Sequence, residues 1–220
     1  MSVRRFILLY AKKGIRIKMF RIVCLVIGYM VGCMETAYFV SKAWKTDLRS
    51  QGSGNLGTTN ALRVLGVKAG AATFAGDILK SVLAFAAGMF LFPEAGALAG
   101  MYGSIGAILG HDFPFYLHFR GGKGIAASIG MVLGLSFAIS PLLALVSFGI
   151  GIVGVAVSHT ISAGSLLFAF SIPVAAYFLR FPVEMTALAA ALCVLAFWKH
   201  RANIGRLLAG NENRFSIRKK

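Results

Sequence analysis

From Gly124 to Leu179 the chain contains no Asp, Glu, Lys or Arg, and His159 is the only histidine in that stretch. A bilayer core of roughly 30 Å is crossed by about 18–20 apolar residues. The run is therefore too long for one crossing and suits about three, with polar turns near Ser140-Pro141 and Ser158-His159-Thr160. Only 14% of residues are charged, against about a quarter in soluble domains. Mean hydropathy is +0.78. The membrane class follows before any motif is read.

Apolar stretches predict helices at about Ile22–Ala43, Gly70–Phe92, Ala95–Leu109, Ile125–Ser140, Leu142–Val157, Ser162–Leu179 and Val183–Trp198. Several are rich in Gly and Ala, which lets helix backbones approach closely in a bundle. The expected fold is all-α: a polytopic integral membrane bundle of about seven transmembrane helices. Its domain plan is a basic N-terminal extension over 1–21, one transmembrane catalytic domain over 22–200, and a basic tail over 201–220. Polar residues concentrate in Lys42–Lys68, Gly110–Gly124 and Lys199–Lys220. Seven crossings put all three on one side, and their Lys and Arg content assigns that side to the cytoplasm. Met1–Arg21 is basic too and falls on the other side, against the same rule. Two readings of it stay open: an interfacial amphipathic segment, or a natural start at Met19.

The formal charge of +16 arises from 23 Lys and Arg against 7 Asp and Glu. Those cations punctuate apolar segments, which fits positive-inside topology rather than nucleic-acid binding. Cys24, Cys33 and Cys193 are odd in number and include no CxxC, so neither a disulfide framework nor a zinc site is expected. The apolar run Phe6–Ala11 is too short for a cleavable signal.

Three polar blocks carry the chemistry. Ser53–Arg63 reads SGNLGTTNALR. Its glycines allow close backbone approach, its exposed N–H groups can form an anion cradle, and Arg63 can clamp phosphate in a bidentate fork. The bland alternative is a flexible loop with helix-capping residues. Gly110–Ser128 contains His111 and Gly121-Gly122-Lys123-Gly124 just before an apolar stretch. N–H groups at a helix N-terminus favour anions. The spacing is not that of a Walker A loop. Phe113, Phe115, Tyr116 and Phe119 read as an interfacial aromatic belt. In Lys199–Phe215, helical spacing puts His200, Asn203 and Arg206 along one face, with Gly210 ending the helix and Glu212 beyond it; the plain alternative is an electrostatic anchor on lipid. Asp77 and Lys80, spaced i, i+3 in an apolar stretch, are functional candidates or a structural pair.

Taken together, SGNxGxTNxxR, GHxxP followed by FxGGKG, and NxxRLLxGxE resemble the PlsY-type glycerol-3-phosphate acyltransferases of bacteria, over about Ile22–Phe215. The resemblance implies a multi-pass bacterial inner-membrane enzyme. It would move an acyl chain from acyl phosphate to the sn-1 hydroxyl of glycerol 3-phosphate, giving lysophosphatidic acid and phosphate. It implies catalytic roles for Ser53, Lys123, His200 and Asn203. Phosphate binding would fall to Gly54, Asn55, Gly57, Thr59, Asn60, Arg63, Gly121, Gly122, Gly124 and Ser162. Supporting roles would fall to Asp77, Lys80, His111, Arg206 and Glu212. No cofactor or metal is expected. The partners would be the two substrates, membrane lipid and an upstream acyl-phosphate-forming enzyme. Two departures stand out. Gly32-Cys33-Met34-Glu35 replaces the family's frequent GSIP, placing an acid where Pro is common, and Ala127 replaces a hydroxyl residue.

An acyl phosphate is already activated, so positioning and charge stabilisation suffice. GxSxG and HxxxxD are both absent. The base is either His200 or, preferably, the donor's own phosphate oxygen. The rival class is a membrane transporter or channel for a phosphorylated solute, which the lack of a clear inverted repeat disfavours.

Overall fold

The structure, a computed structural model, describes residues 19–214. Most of the basic N-terminal extension and the end of the tail lie outside the described residues. Among those described, every regular element is helical. Helix α1 covers 19–32, followed by α2 (Thr36–Ala43), α3 (Thr58–Leu65), α4 (Val67–Leu91), α5 (Ala97–Asp112), a single 3₁₀ turn at Phe115–Leu117, α6 (Ile125–Ala138), α7 (Leu142–Ser158), α8 (Ile161–Phe178), α9 (Val183–Lys199) and α10 (Arg201–Leu208). The longer helices are largely apolar around their circumference, as helices surrounded by lipid and protein are, with a few charged residues on α4, α5 and α9. Gly, Pro or Thr marks their starts: Gly66, Gly96 and Gly124 precede α4, α5 and α6. Pro141 and Pro182 precede α7 and α9, and the Thr160 hydroxyl caps α8 by accepting from Ala163 N at 3.4 Å.

Glycines set the closest packing. A side chain at Gly28 or Gly32 on α1 would strike the α5 carbonyls of Gly103 or Ala107; one at Gly106 or Gly110 on α5 would strike the α1 carbonyls of Leu25 or Tyr29. The contacts are reciprocal, so the two backbones touch along their length. Helix α4 packs on α5 and α6, and α8 on α7 and α9. Phe85, Met101, Ile105, Met131, Leu135, Phe168 and Ile172 fill the core between them.

Each predicted apolar stretch contains helix, with one correction. The stretch expected as one helix, Ile22–Ala43, breaks at 33–35, and Glu35 becomes the N-cap residue of α2 with extended backbone, φ −75° and ψ 99°. Its carboxylate turns inward onto Lys80 of α4 and His111 of α5. Met19–Ala43, Val67–Leu91 and Ile161–Phe178 are long and apolar enough to cross a membrane. Val183–Lys199 with Arg201–Leu208, bent by 63°, would make a fourth. Helices α6 and α7, of 14 and 17 residues, are shorter. At 1.5 Å per residue, α6 measures about 21 Å, less than a bilayer core.

At one end of the bundle Arg21 grips Glu184 through two hydrogen bonds of 2.7 and 2.8 Å, and Tyr102 donates to the same carboxylate at 2.7 Å. This ties α1, α5 and α9 together. The three polar blocks gather at the other end.

Candidate active site

The first block lies between α2 and α3. Asn60, buried on the first turn of α3, spends its amide on the loop. Its Oδ1 accepts from Ser53 N at 2.9 Å, and its Nδ2 donates to Leu48 O at 3.2 Å and Gln51 O at 3.0 Å. These bonds fold Leu48–Ser53 back over α3. Gly54 has φ +68°, a conformation that favours glycine. Gly54 N and Gly57 N are engaged with Gln51 O and Asn55 O. The opening N–H groups of a helix have no partner within it. Here they belong to Thr58 and Thr59, Gly57 supplies no side-chain cap, and the buried Thr58 hydroxyl has no hydrogen-bond partner among the described residues. The start of α3 is thus a set of convergent donors. Arg63, on the next turn, is exposed.

The second block is the turn from α5 into α6. Gly122 N donates to His111 O at 3.0 Å and Gly121 N to Asp112 O at 3.2 Å. Those two N–H groups, expected to cradle an anion, close the loop instead. The donors that remain are the opening N–H groups of α6 and the Lys123 ammonium. The buried carboxylate of Asp112 lies against Gly124 at the start of α6, and Lys199 Nζ donates to the Asp112 carbonyl at 2.9 Å.

The third block is the bend between α9 and α10. Lys123 Nζ donates to Asn203 Oδ1 at 2.5 Å, Asn203 Nδ2 donates to Glu212 Oε1 at 2.9 Å, and Arg206 Nε donates to Glu212 Oε2 at 2.7 Å. One carboxylate therefore holds two residues of the C-terminal block and, through Asn203, the lysine of the glycine loop. Burial pushes Lys123 down to about 8, helped by the charges of Arg206, Lys199 and Arg63 and opposed by Glu212. His200 is buried, and its Nδ1 lies 2.8 Å from Ala196 O. A carbonyl only accepts, so Nδ1 carries the proton and Nε2 of the neutral ring is left as an acceptor. Helix α10 packs on α8 and α9. The buried Ser162 hydroxyl on the first turn of α8 has no partner among the described residues.

The pair Asp77 and Lys80 belongs to a larger buried cluster. Lys80 Nζ lies 2.9 Å from Asp77 Oδ1, 2.9 Å from His111 Nδ1 and 3.8 Å from Glu35 Oε2, and it donates to Met34 O at 3.3 Å. Glu35 Oε2 is 3.1 Å from His111 Nδ1. Glu35, Asp77 and His111 bring ligand atoms within 4.8 Å of one another, as a metal site would. The Lys80 ammonium among them already supplies the cation. The far edge of the imidazole faces Gly122: a side chain there would collide with Nε2 and Cε1.

A cleft of about 330 Å³ runs between these blocks, lined by Asn55, Gly121, Lys123, Lys199 and Arg201 together with the rings of Phe113, Phe119 and Trp198. Its lining interleaves cations and rings, with Lys199 4.6 Å over Phe113 and Arg201 4.7 Å over Trp198, a mixture that suits an amphiphile with an anionic head. The structure thus brings Asn55, Gly121 and Lys123 to one cleft and joins Asn203, Arg206 and Glu212 to it through Lys123. It places Asp77, Lys80 and His111 beneath the glycine loop. Glu35, Thr58, Asp112 and Lys199 were not singled out as site residues. Thr58, Asp112 and Lys199 lie within the three polar blocks, and Glu35 stands out as an acid in an apolar stretch.

The family model described as glycerol-3-phosphate acyltransferase matches residues 22–210. A glycerol-3-phosphate acyltransferase of Thermoanaerobacter pseudethanolicus is 39% identical over 197 residues, 89% of this chain and 96% of the relative. One of Shouchella clausii is 43% identical over 196 residues, 85% and 92% of the two chains. The fold is similar to the crystal structure of PlsY (YgiH), an integral membrane glycerol 3-phosphate acyltransferase, in its glycerol 3-phosphate form. The TM-score is 0.80 at 31% identity, covering 89% of this chain and 96% of that one. The lysophosphatidic acid form of the same enzyme gives 0.78 at 30% identity.

Proposed function

Because the chain belongs to the glycerol-3-phosphate acyltransferase family, we propose that it uses acyl phosphate as donor and releases lysophosphatidic acid and inorganic phosphate. The sn-1 hydroxyl oxygen of glycerol 3-phosphate attacks the acyl carbonyl carbon. The bond from that carbon to the phosphate oxygen breaks, and the leaving phosphate takes the hydroxyl proton. No enzyme-bound acyl group is needed, which fits a site without a nucleophile elbow. Catalysis rests on holding two anionic heads together and stabilising the charge that develops between them.

The observation that carries this reading is the bond from Lys123 to Asn203 at the cleft, with Arg206, Lys199 and Arg63 close enough to depress the lysine. Lys123 serves the developing charge, together with Asn203. Asn55, Thr59 and Arg63, with the donors opening α3, take the acceptor phosphate; Gly54 and Gly57, whose N–H groups are engaged within the loop, shape the turn around it, and the Ser53 hydroxyl joins Lys123 as a catalytic group. Gly121, Gly122, Gly124 and Ser162 flank the donor phosphate, and Asn60, Asp77, Lys80, His111, Arg206 and Glu212 hold the frame. His200 Nε2 is an acceptor that can orient the attacking hydroxyl.

In this reading residues 22–200 form a single catalytic domain that crosses a bacterial inner membrane seven times, the shorter helices tilted or in locally thinned lipid. The polar blocks face the cytoplasm, where an upstream enzyme delivers acyl phosphate. The test offers purified protein each donor in turn with glycerol 3-phosphate. Phosphate and lysophosphatidic acid appear with acyl phosphate. Product from acyl-CoA or acyl carrier protein, and none from acyl phosphate, would reassign the donor.

A further inference from the structure

We propose that Glu35 is a positioning residue. It holds the His111 imidazole edge-on beneath Gly122 and so sets the depth of the glycine loop that carries Lys123. The inference rests on the reaction proposed above and adds a residue to it.

Glu35 has no exposed surface, and it sits at the break between α1 and α2. Burying a carboxylate is costly unless its surroundings answer the charge. The groups nearest to it are His111 Nδ1 at 3.1 Å and Lys80 Nζ at 3.8 Å, and the same Nδ1 lies 2.9 Å from Lys80 Nζ, so carboxylate and ammonium meet at one ring nitrogen. Asp77, 2.9 Å from the ammonium, steadies Lys80 from its own helix. One edge of the imidazole is therefore fixed by groups from α2 and α4.

The opposite edge fills the space that a side chain at Gly122 would take, and Leu56 O closes the same space from the loop before α3. His111 meets Gly122 a second time through its carbonyl, which accepts Gly122 N–H at 3.0 Å. The loop thus rests on the ring and hangs from the backbone of one residue. Lys123 follows directly and reaches Asn203. An imidazole released on its Nδ1 side would tip, and the loop would settle with it. A displacement of about 1 Å at a catalytic group can cost about a hundredfold in rate. Glu35 touches none of the reacting atoms in this arrangement; it acts through His111.

The experiment measures kcat and both KM values per folded molecule for Glu35→Gln, His111→Gln and the double variant. Glu35→Gln keeps the volume but loses the charge facing His111 and Lys80. The expected result is a fall in kcat of at least fivefold, with both KM values within twofold of wild type. Glu35→Gln should cause no further loss when added to His111→Gln. Full kcat in Glu35→Gln, or losses that multiply in the double variant, would overturn the proposal. If the neutral variant does not fold, Glu35→Asp keeps the buried charge and shortens its reach. A lowered kcat again supports positioning, and an unchanged one overturns it. Wild type in the same assay separates the two readings. A wild type that releases no phosphate sinks the reaction, whereas a wild type matched by Glu35→Gln sinks only the positioning role.

Discussion

Lys123 and Asn203 lie 80 residues apart in the chain and meet through a 2.5 Å hydrogen bond from Nζ to Oδ1. The bond joins the glycine loop to α10, and Glu212 extends it to Arg206. A lysine among other cations, held by a neutral amide, is poised to serve an incoming anion. Lys123→Ala should lower kcat at least tenfold, about 1.4 kcal/mol or more in barrier, with the protein still folded by thermal melting. Asn203→Ala leaves Lys123 charged but unheld, and should cost less. An Asn203→Ala loss exceeding that of Lys123→Ala would make the amide, rather than the ammonium, the main contributor.

The pH dependence follows from the same lysine. Burial holds Lys123 near 8, below its ordinary range. Below that pH the ammonium is intact; as pH rises through about 8 the charge is lost, and activity should fall with it. For stability the sign is opposite. A lysine depressed by folding weakens the fold at pH values where it is charged, and that penalty fades as pH rises from about 8 toward the ordinary lysine range. Activity should therefore drop on the alkaline side without a matching fall in melting temperature. Lys123→Arg, if active, should move the alkaline limb upward, because guanidinium stays charged. Rate profiles against pH for both proteins check this.

Gly122 is the second point of sensitivity. A side chain there would overlap Nε2 and Cε1 of His111 and crowd Leu56 O. The imidazole cannot swing away freely, because Nδ1 is held on its other side. Gly122→Ala should therefore lift the loop and lower turnover at least tenfold, about 1.4 kcal/mol or more. The check is kcat per folded molecule.

The glycine loop also shows where sequence reading stops. GGKG before an apolar run was legible as a turn into a helix, and α6 starts at Ile125 as the pattern predicts. The employment of its N–H groups was not legible. Those of Gly121 and Gly122 go to the end of α5, and partner choice depends on how two helix ends meet. Asn60 teaches the same lesson. Its residue type and loop position are compatible with phosphate binding, but the backbone path over Leu48–Ser53 gives its amide three local bonds. The C-terminal block was read more fully because its spacing is local: Asn203 and Arg206 share a helix, Gly210 has φ +69°, and Glu212 returns to both. Glu35 was visible only as an acid out of place, since its partners come from α4 and α5.

Arg63 separates the two phosphates. It is exposed one turn into α3, beyond the donors of Thr58 and Thr59, and its charge bears on Lys123. It is therefore within electrostatic reach of the glycine loop. A guanidinium can take two oxygens of one phosphate in a planar fork, which an ammonium cannot copy. Arg63→Lys keeps the charge and removes the fork. If the acceptor phosphate sits at the start of α3, the substitution should raise KM for glycerol 3-phosphate much more than KM for acyl phosphate. The expected loss is roughly 1.5–3 kcal/mol, the range for a hydrogen bond to a charged group. A rise confined to the donor KM would exchange the two phosphate seats and put the acceptor against the glycine loop. Unchanged KM values for both would make Arg63 a membrane-edge cation, leaving the start of α3 to hold its anion through N–H groups and hydroxyls alone.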